Sequence, residues 1–146
     1  MNQTPSSRPS AAAFPARVEE RLPEREYRPD EVQLFLYNAV LFNAHRIHFD
    51  HPYATLVEEY PGLVVPGPLM GDWLHQCVEE WLGARGRLVA IEYSNRKAAY
   101  VGERLTTGGR VIGVDAARRT AEVEVYVRNE VGEVIVPGKA RVEFFR

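Results

Sequence analysis

Cysteine is nearly absent. The 146 residues hold one, Cys77, which excludes a disulfide framework within the chain and a cysteine-based zinc site. Charge of one sign is also lacking. Eighteen Lys and Arg stand against 20 Asp and Glu, for a net charge of -2, and no basic run stands out. That argues against a general nucleic-acid binder and leaves an anionic ligand to be met by a local patch. No apolar run approaches the ~18 residues that a membrane span requires. The N-terminus lacks the apolar core of a secretory signal, and there are no internal repeats. What remains is an ordinary soluble globular class, one domain or one domain plus a tail, with the cytoplasm as the simplest location.

The tail is expected at the start. Residues 1–29 are rich in Pro, Ser, Ala and charge and show little apolar periodicity, so they read as a flexible N-terminal arm ahead of a single domain over 30–146. Asp30 is placed to cap a helix through "EVQLFLYNAVLFNA". "PYATLVEEYPG" reads as a short helical turn and "LVVPG" as a brief β-prone run. The clearest helix is "PLMGDWLHQCVEEWLG", with apolar residues at 69, 70, 73, 74, 77, 78, 81 and 82, closed by Gly83. About four strands follow. In "TAEVEVYVRN" Ala121, Val123, Val125 and Val127 share one face, and Glu122, Glu124, Tyr126 and Arg128 the other. One apolar helix against a curved antiparallel sheet is a two-layer α+β arrangement. A sheet wrapped round a central helix, the hot-dog fold, fits it, and a cystatin-like sheet fits the pattern nearly as well.

Three of the four histidines fall in "NAHRIHFDHPYA". The spacing His45, His48, His51 offers a metal set, but it suits one helix face imperfectly and Pro52 interrupts it. A histidine in a turn also serves as an acid–base group, with an ordinary pKa of ~6.5, or simply as a turn residue bonded to backbone.

The stretch "FNAHRIHFDHPYA", followed by "EEYPGLVVPGPL", resembles the MaoC-like hot-dog dehydratases and hydratases. It is most similar to the hydroxyacyl-thioester dehydratase type 2 and mesaconyl-CoA hydratase branch, which reads N-x-H-R-I-H-Y-D and then Y-P-G-L-V-V-H-G-P-L. "YVGERL" and "GKARVEF" fit the family's strands, so the likeness covers about residues 30–146. It implies a hot-dog domain that adds water across a 2,3 double bond of an acyl thioester, of coenzyme A or an acyl carrier protein, or removes it, with (R) specificity. It places the acid–base histidine at His48, the side chain that shares the catalytic water at Asn43, and the amide that holds the thioester oxygen at Gly67. Two positions depart from the pattern. The broader family has Asp where this chain has Asn43, so base work falls on His48. Pro66 replaces the histidine of "VVHGPL" and has no N–H, which bears on the shape and polarity of that pocket wall.

Water addition requires a group that takes and returns protons and a donor for the enolate-like oxygen. His48 suits the first. Gly67, at a helix start where the dipole favours negative charge, suits the second. His45 is expected to brace the loop beside the substrate, His51 to be exposed, and Asp50 to cap or bridge the turn. Arg96 and Lys97 are candidates for a carrier's phosphates, or simply a solvated strand end. No cofactor and no metal are expected, nor is contact with nucleic acid or membrane. The partners implied are the thioester itself and a second hot-dog chain, as a homodimer or a heteromer. Beside the hydro-lyase stand two alternatives, one subunit of a two-chain dehydratase and a non-catalytic acyl-CoA-binding protein. A thioesterase lacks an evident carboxylate at the motif.

Overall fold

A computed structural model describes residues 14–146. Residues 1–13 of the expected arm lie outside the described residues; the rest of it is folded. Residues Arg21–Tyr27 form strand β1, antiparallel to β3, with Leu22 opposite Gly109. Ala16 and Leu22 join the core, and Phe14 packs edge-on against Phe144 at 5.2 Å. The folded unit therefore starts well before residue 30. The segment's composition conceals the strand because β1 lies at the sheet edge. It buries little besides Leu22, and its Pro23 and charges are the residues that protect an open edge from pairing.

After β1, Asp30 caps helix α1 (Glu31–Val40), accepting from Gln33 N–H at 2.7 Å. A 3₁₀ turn (Arg46–His48) and a π-helical turn (Tyr53–Val57) lead to α2 (Gly67–Leu82). Strands β2 (Gly86–Tyr93), β3 (Leu105–Asp115), β4 (Thr120–Arg128) and β5 (Val134–Phe144) complete the chain. The expected run at "LVV" is a single bridge, Val64 to Tyr100, rather than a strand of the sheet.

All pairings are antiparallel, and the order is β1-β3-β4-β5-β2. Each pairing contains a register shift. Such bulges bend and twist a strand, and the curved sheet closes on α2, which touches all five strands. All eight apolar positions of α2 named from the sequence are buried. They meet the inward face of β4, where Val123, Val125 and Val127 are fully covered. Burying one such side chain is worth roughly 1.5–3 kcal/mol. Trp73 stacks on Tyr27 at 4.3 Å, and Trp81 Nε1–H donates to Glu20 at 2.9 Å. Cys77 lies among them, and burial pushes its thiol up to about 11. This is the hot-dog arrangement, with a sheet wrapped round one long helix.

Helix α1 is the exception to the packing. Only Leu34 and Asn38 are buried on it, while Val32, Phe35, Leu36 and Val40 are exposed. It is tied to α2 by Tyr37, whose hydroxyl donates to Asp72 at 2.7 Å. Burial and that carboxylate raise the Tyr37 pKa well above its usual value.

Candidate active site

The site is built where α1 ends. The last turn closes with the Phe42 N–H on Ala39 O at 3.2 Å and the Asn43 N–H on Asn38 O at 2.9 Å. That pair of bonds is a Schellman motif. Its left-handed residue is normally glycine, but here it is Phe42, with φ 53°. The chain thus turns sharply and delivers Asn43 directly after the helix. Asn43 Oδ1 accepts the His45 N–H at 3.1 Å, which leaves its amide N–H groups and a second oxygen lone pair for other partners.

His45 C=O then accepts the His48 N–H at 3.3 Å, closing the 3₁₀ turn. The two imidazoles lie 5.7 Å apart. His51 is exposed, as expected, and the ring of His45, the residue expected to brace the loop, is exposed as well; Asp50 caps Tyr53 N–H at 3.1 Å while pairing with Arg46 at 2.7 Å. The guanidinium of Arg46 holds the Asp50 carboxyl below its ordinary range.

His48 is different from its neighbours. Only 9% of it is exposed. Its Nδ1 lies 2.7 Å from Val64 O. A carbonyl can only accept, so Nδ1 carries the hydrogen and Nε2 is left with its lone pair. Burial, and to a lesser degree the charge of His45, lower its pKa, against the opposing effect of the Val64 bond. The ring is therefore a neutral base of fixed tautomer.

The same Val64 carries the chain to Gly67. Residues 63–65 are clamped on both sides. Val64 N–H donates to Ile47 O at 3.0 Å, Val65 N–H to Ala99 O at 2.8 Å, and Val101 N–H to Leu63 O at 3.0 Å. Pro66 is buried and caps α2 with extended backbone. Neither Pro66 nor Pro68 has an N–H, and the Leu69 N–H is already on Pro66 O at 3.1 Å. Gly67 thus supplies the single backbone donor at the first turn of α2. A side chain there would displace the Asn95 amide, since an added Cβ would lie 2.3 Å from Asn95 Nδ2. One turn on, a Cβ at Gly71 would lie 2.2 Å from the Tyr93 hydroxyl. Asn95 and Tyr93 were not singled out from the sequence. Only the repeat of glycine at a four-residue interval hinted at a close neighbour.

Arg96 and Lys97 stand apart from this group. Their N–H groups hold Ile135 O, at 2.9 and 3.3 Å. Lys97 is ion-paired with Glu133, and Arg96 lines an open groove with Tyr93, Ser94 and Lys139. Among the described residues no hydrogen bond or ion pair joins either to His48 or Asn43. Nor do three His, Cys, Asp or Glu side chains converge among the described residues in a metal-binding group. No helix there is long and apolar enough to cross a membrane.

Beside Asn43 is an open groove of about 320 Å³. Phe35, Ala39, Phe42 and Phe49 give it apolar walls, and Asn38 and Asn43 supply its amides. The sequence signals Asn38 only as a polar residue inside an apolar helical run.

The hydroxyacyl-thioester dehydratase type 2 family model matches residues 1–101. The mesaconyl-C(4)-CoA hydratase of Chloroflexus aurantiacus is 62% identical over 42 residues, 29% of this chain and 15% of that protein. The mitochondrial hydroxyacyl-thioester dehydratase type 2 of Schizosaccharomyces pombe is 50% identical over 44 residues, 30% of this chain and 15% of that protein. The chain thus matches only a small part of the length of these relatives. In three dimensions it resembles the (R)-hydratase from A. caviae involved in PHA biosynthesis, with TM-score 0.83 and 17% identity over 91% of this chain and 100% of that one. The ChsH1-ChsH2 complex from Mycobacterium tuberculosis gives TM-score 0.78 and 18% identity over 88% and 98%. At such identities the structural likeness speaks for the fold alone. With the family model covering more than half of its length, the chain belongs to the hydroxyacyl-thioester dehydratase type 2 family.

Proposed function

We propose that the chain is a hydro-lyase acting on acyl thioesters, through (R)-specific hydration of an enoyl-CoA or dehydration of a 3-hydroxyacyl thioester. The observation that carries this reading is His48, a buried imidazole with Nδ1 held on Val64 O and Nε2 left as an acceptor. In hydration Nε2 takes a proton from water as the oxygen attacks C3. The same nitrogen then returns a proton to C2. Asn43 orients the water, and the Gly67 N–H, aided by the α2 dipole, holds the thioester oxygen while it carries the enolate charge. In dehydration the steps reverse. The reaction requires no cofactor, and the reading places it in the cytoplasm.

A second reading is supported by the exposed apolar side of α1 and the open edge of β2. Here the chain is the active subunit of a two-chain dehydratase, and a second hot-dog chain covers those surfaces. One experiment separates the two. The purified chain is offered a panel of enoyl-CoA and 3-hydroxyacyl-CoA thioesters, with and without chains encoded nearby. Turnover by the chain alone supports the first reading, and turnover only with a partner the second. Tight binding without turnover in either case would reduce the protein to an acyl-CoA binder.

A further inference from the structure

We infer that the open groove beside Asn43 is an acyl subsite, and that Asn38 makes it selective for an acyl group bearing a neutral hydrogen-bond donor, such as a hydroxyl, beyond C3. The inference rests on the thioester reading above and names the kind of acyl group. It starts from an unmatched atom. Asn38 is 2% exposed. Its Nδ2 donates to Leu34 O at 2.7 Å, and because that carbonyl only accepts, the amide cannot be turned round. Oδ1 is then fixed on the opposite side, and it is buried without a partner, the one such side-chain atom among the described residues. Buried polar atoms are almost always bonded, so an exception calls for a cause.

A leucine in place of Asn38 would fill similar space, suit the helix and leave nothing unpaired. The chain carries the amide instead, on the wall of the groove that Asn43 also lines. The walls contributed by Phe35, Phe42 and Phe49 suit a hydrocarbon chain, and about 320 Å³ lies at the small end of ligand pockets. A plain alkyl group pressed there would leave Oδ1 unmatched. A carboxylate brings only acceptors, and would face an acceptor. An ammonium group would find no counter-charge in the lining, none of whose residues is acidic. A neutral donor satisfies the oxygen and fits the apolar walls. Oδ1 is shielded in this arrangement, so the donor reaches it as the lining side chains part. Phe42, at 96% exposure, has the most freedom to do so.

The test is calorimetric binding of hexanoyl-CoA and its 4-, 5- and 6-hydroxy derivatives to the full chain and to Asn38→Leu. None of these thioesters has a 2,3 double bond or a 3-hydroxyl, so the result is independent of turnover. At least one hydroxy derivative should bind about fivefold or more tightly than hexanoyl-CoA. In Asn38→Leu that gap should close while hexanoyl-CoA binds at least as well and Tm rises. Asn38→Ala, which should also close the gap, serves if the leucine variant does not fold. Equal affinities in the parent chain, a preference that survives the substitutions, or no binding of any of the four would overturn the inference. Selective binding without any hydratase or dehydratase activity would instead sink the hydro-lyase reading and leave the subsite standing.

Discussion

At the scale of single residues, one hydrogen bond decides most of the proposed chemistry. Val64 O fixes the His48 tautomer, and burial keeps the ring neutral near neutral pH by lowering its pKa. Two expectations follow for pH. The acidic limb of kcat/KM should fall below pH ~6.5, the ordinary histidine value. Stability should change with the same sign. Between the folded and unfolded pKa values the unfolded chain binds more protons, so the fold loses stability as pH drops from about 6.5 through the lowered folded value. Urea titrations over that range should show the loss in the parent chain and a flatter profile in His48→Gln. An acidic limb above pH 7 would count against the assignment. Asn43→Asp probes the neighbouring position. Its carboxylate can still accept the His45 N–H and still hold water through oxygen, so the turn and the activity should survive. A fall of more than about tenfold in kcat would show that the amide N–H is the working group. Phe42→Gly removes a side chain from a left-handed position and should stabilise by about 1 kcal/mol, read from denaturant midpoints.

At the scale of elements, the two helices and the edge strand do different work. Helix α2 was legible because its period, its stop at Gly83 and its burial all agree. The motif loops were legible as a motif, since "NAHRIHFDHPYA" and "VVPGPL" carry the residue types of the site; their convergence at Val64 was not, because it depends on bonds between distant segments. Strand β1 was hidden for a physical reason. An edge strand with one buried apolar side chain, a proline and five charged or polar neighbours has the composition of a tail. Leu22 tells the two apart. It is 3% exposed, so Leu22→Ala should cost about 2–3 kcal/mol in urea unfolding, whereas a change in an unpacked tail would cost less than about 0.5 kcal/mol. Helix α1 was read as apolar, and it is, but its apolar side chains face outward, which no periodicity argument within one chain foresees. Asn95 and Tyr93 were illegible for a related reason: the glycines they rest on are in another element. Gly71→Ala, which places a Cβ on the Tyr93 hydroxyl, should lower Tm by several degrees.

At the scale of the whole molecule, the open surfaces point to association. The sheet ends at β1 and β2. Pro23 and a series of charges guard the first, while Leu88, Val89, Ala90 and Ile91 leave the second more apolar, with Val89 exposed. The chain should therefore pair through β2, with itself or with a second hot-dog chain, and Val89→Lys should weaken the pairing. A monomer at micromolar concentration in sedimentation, with or without a candidate partner, would contradict this. The central claim concerns the proton. On an enoyl-CoA thioester that the parent protein hydrates, His48→Ala should lower kcat by about 10²–10⁴-fold. Its affinity for the matching saturated thioester should hardly change, because the lost group acts in the transition state. His45→Ala and His51→Ala should be much milder. A His48→Ala protein that is folded and retains its kcat within a few-fold would contradict the account.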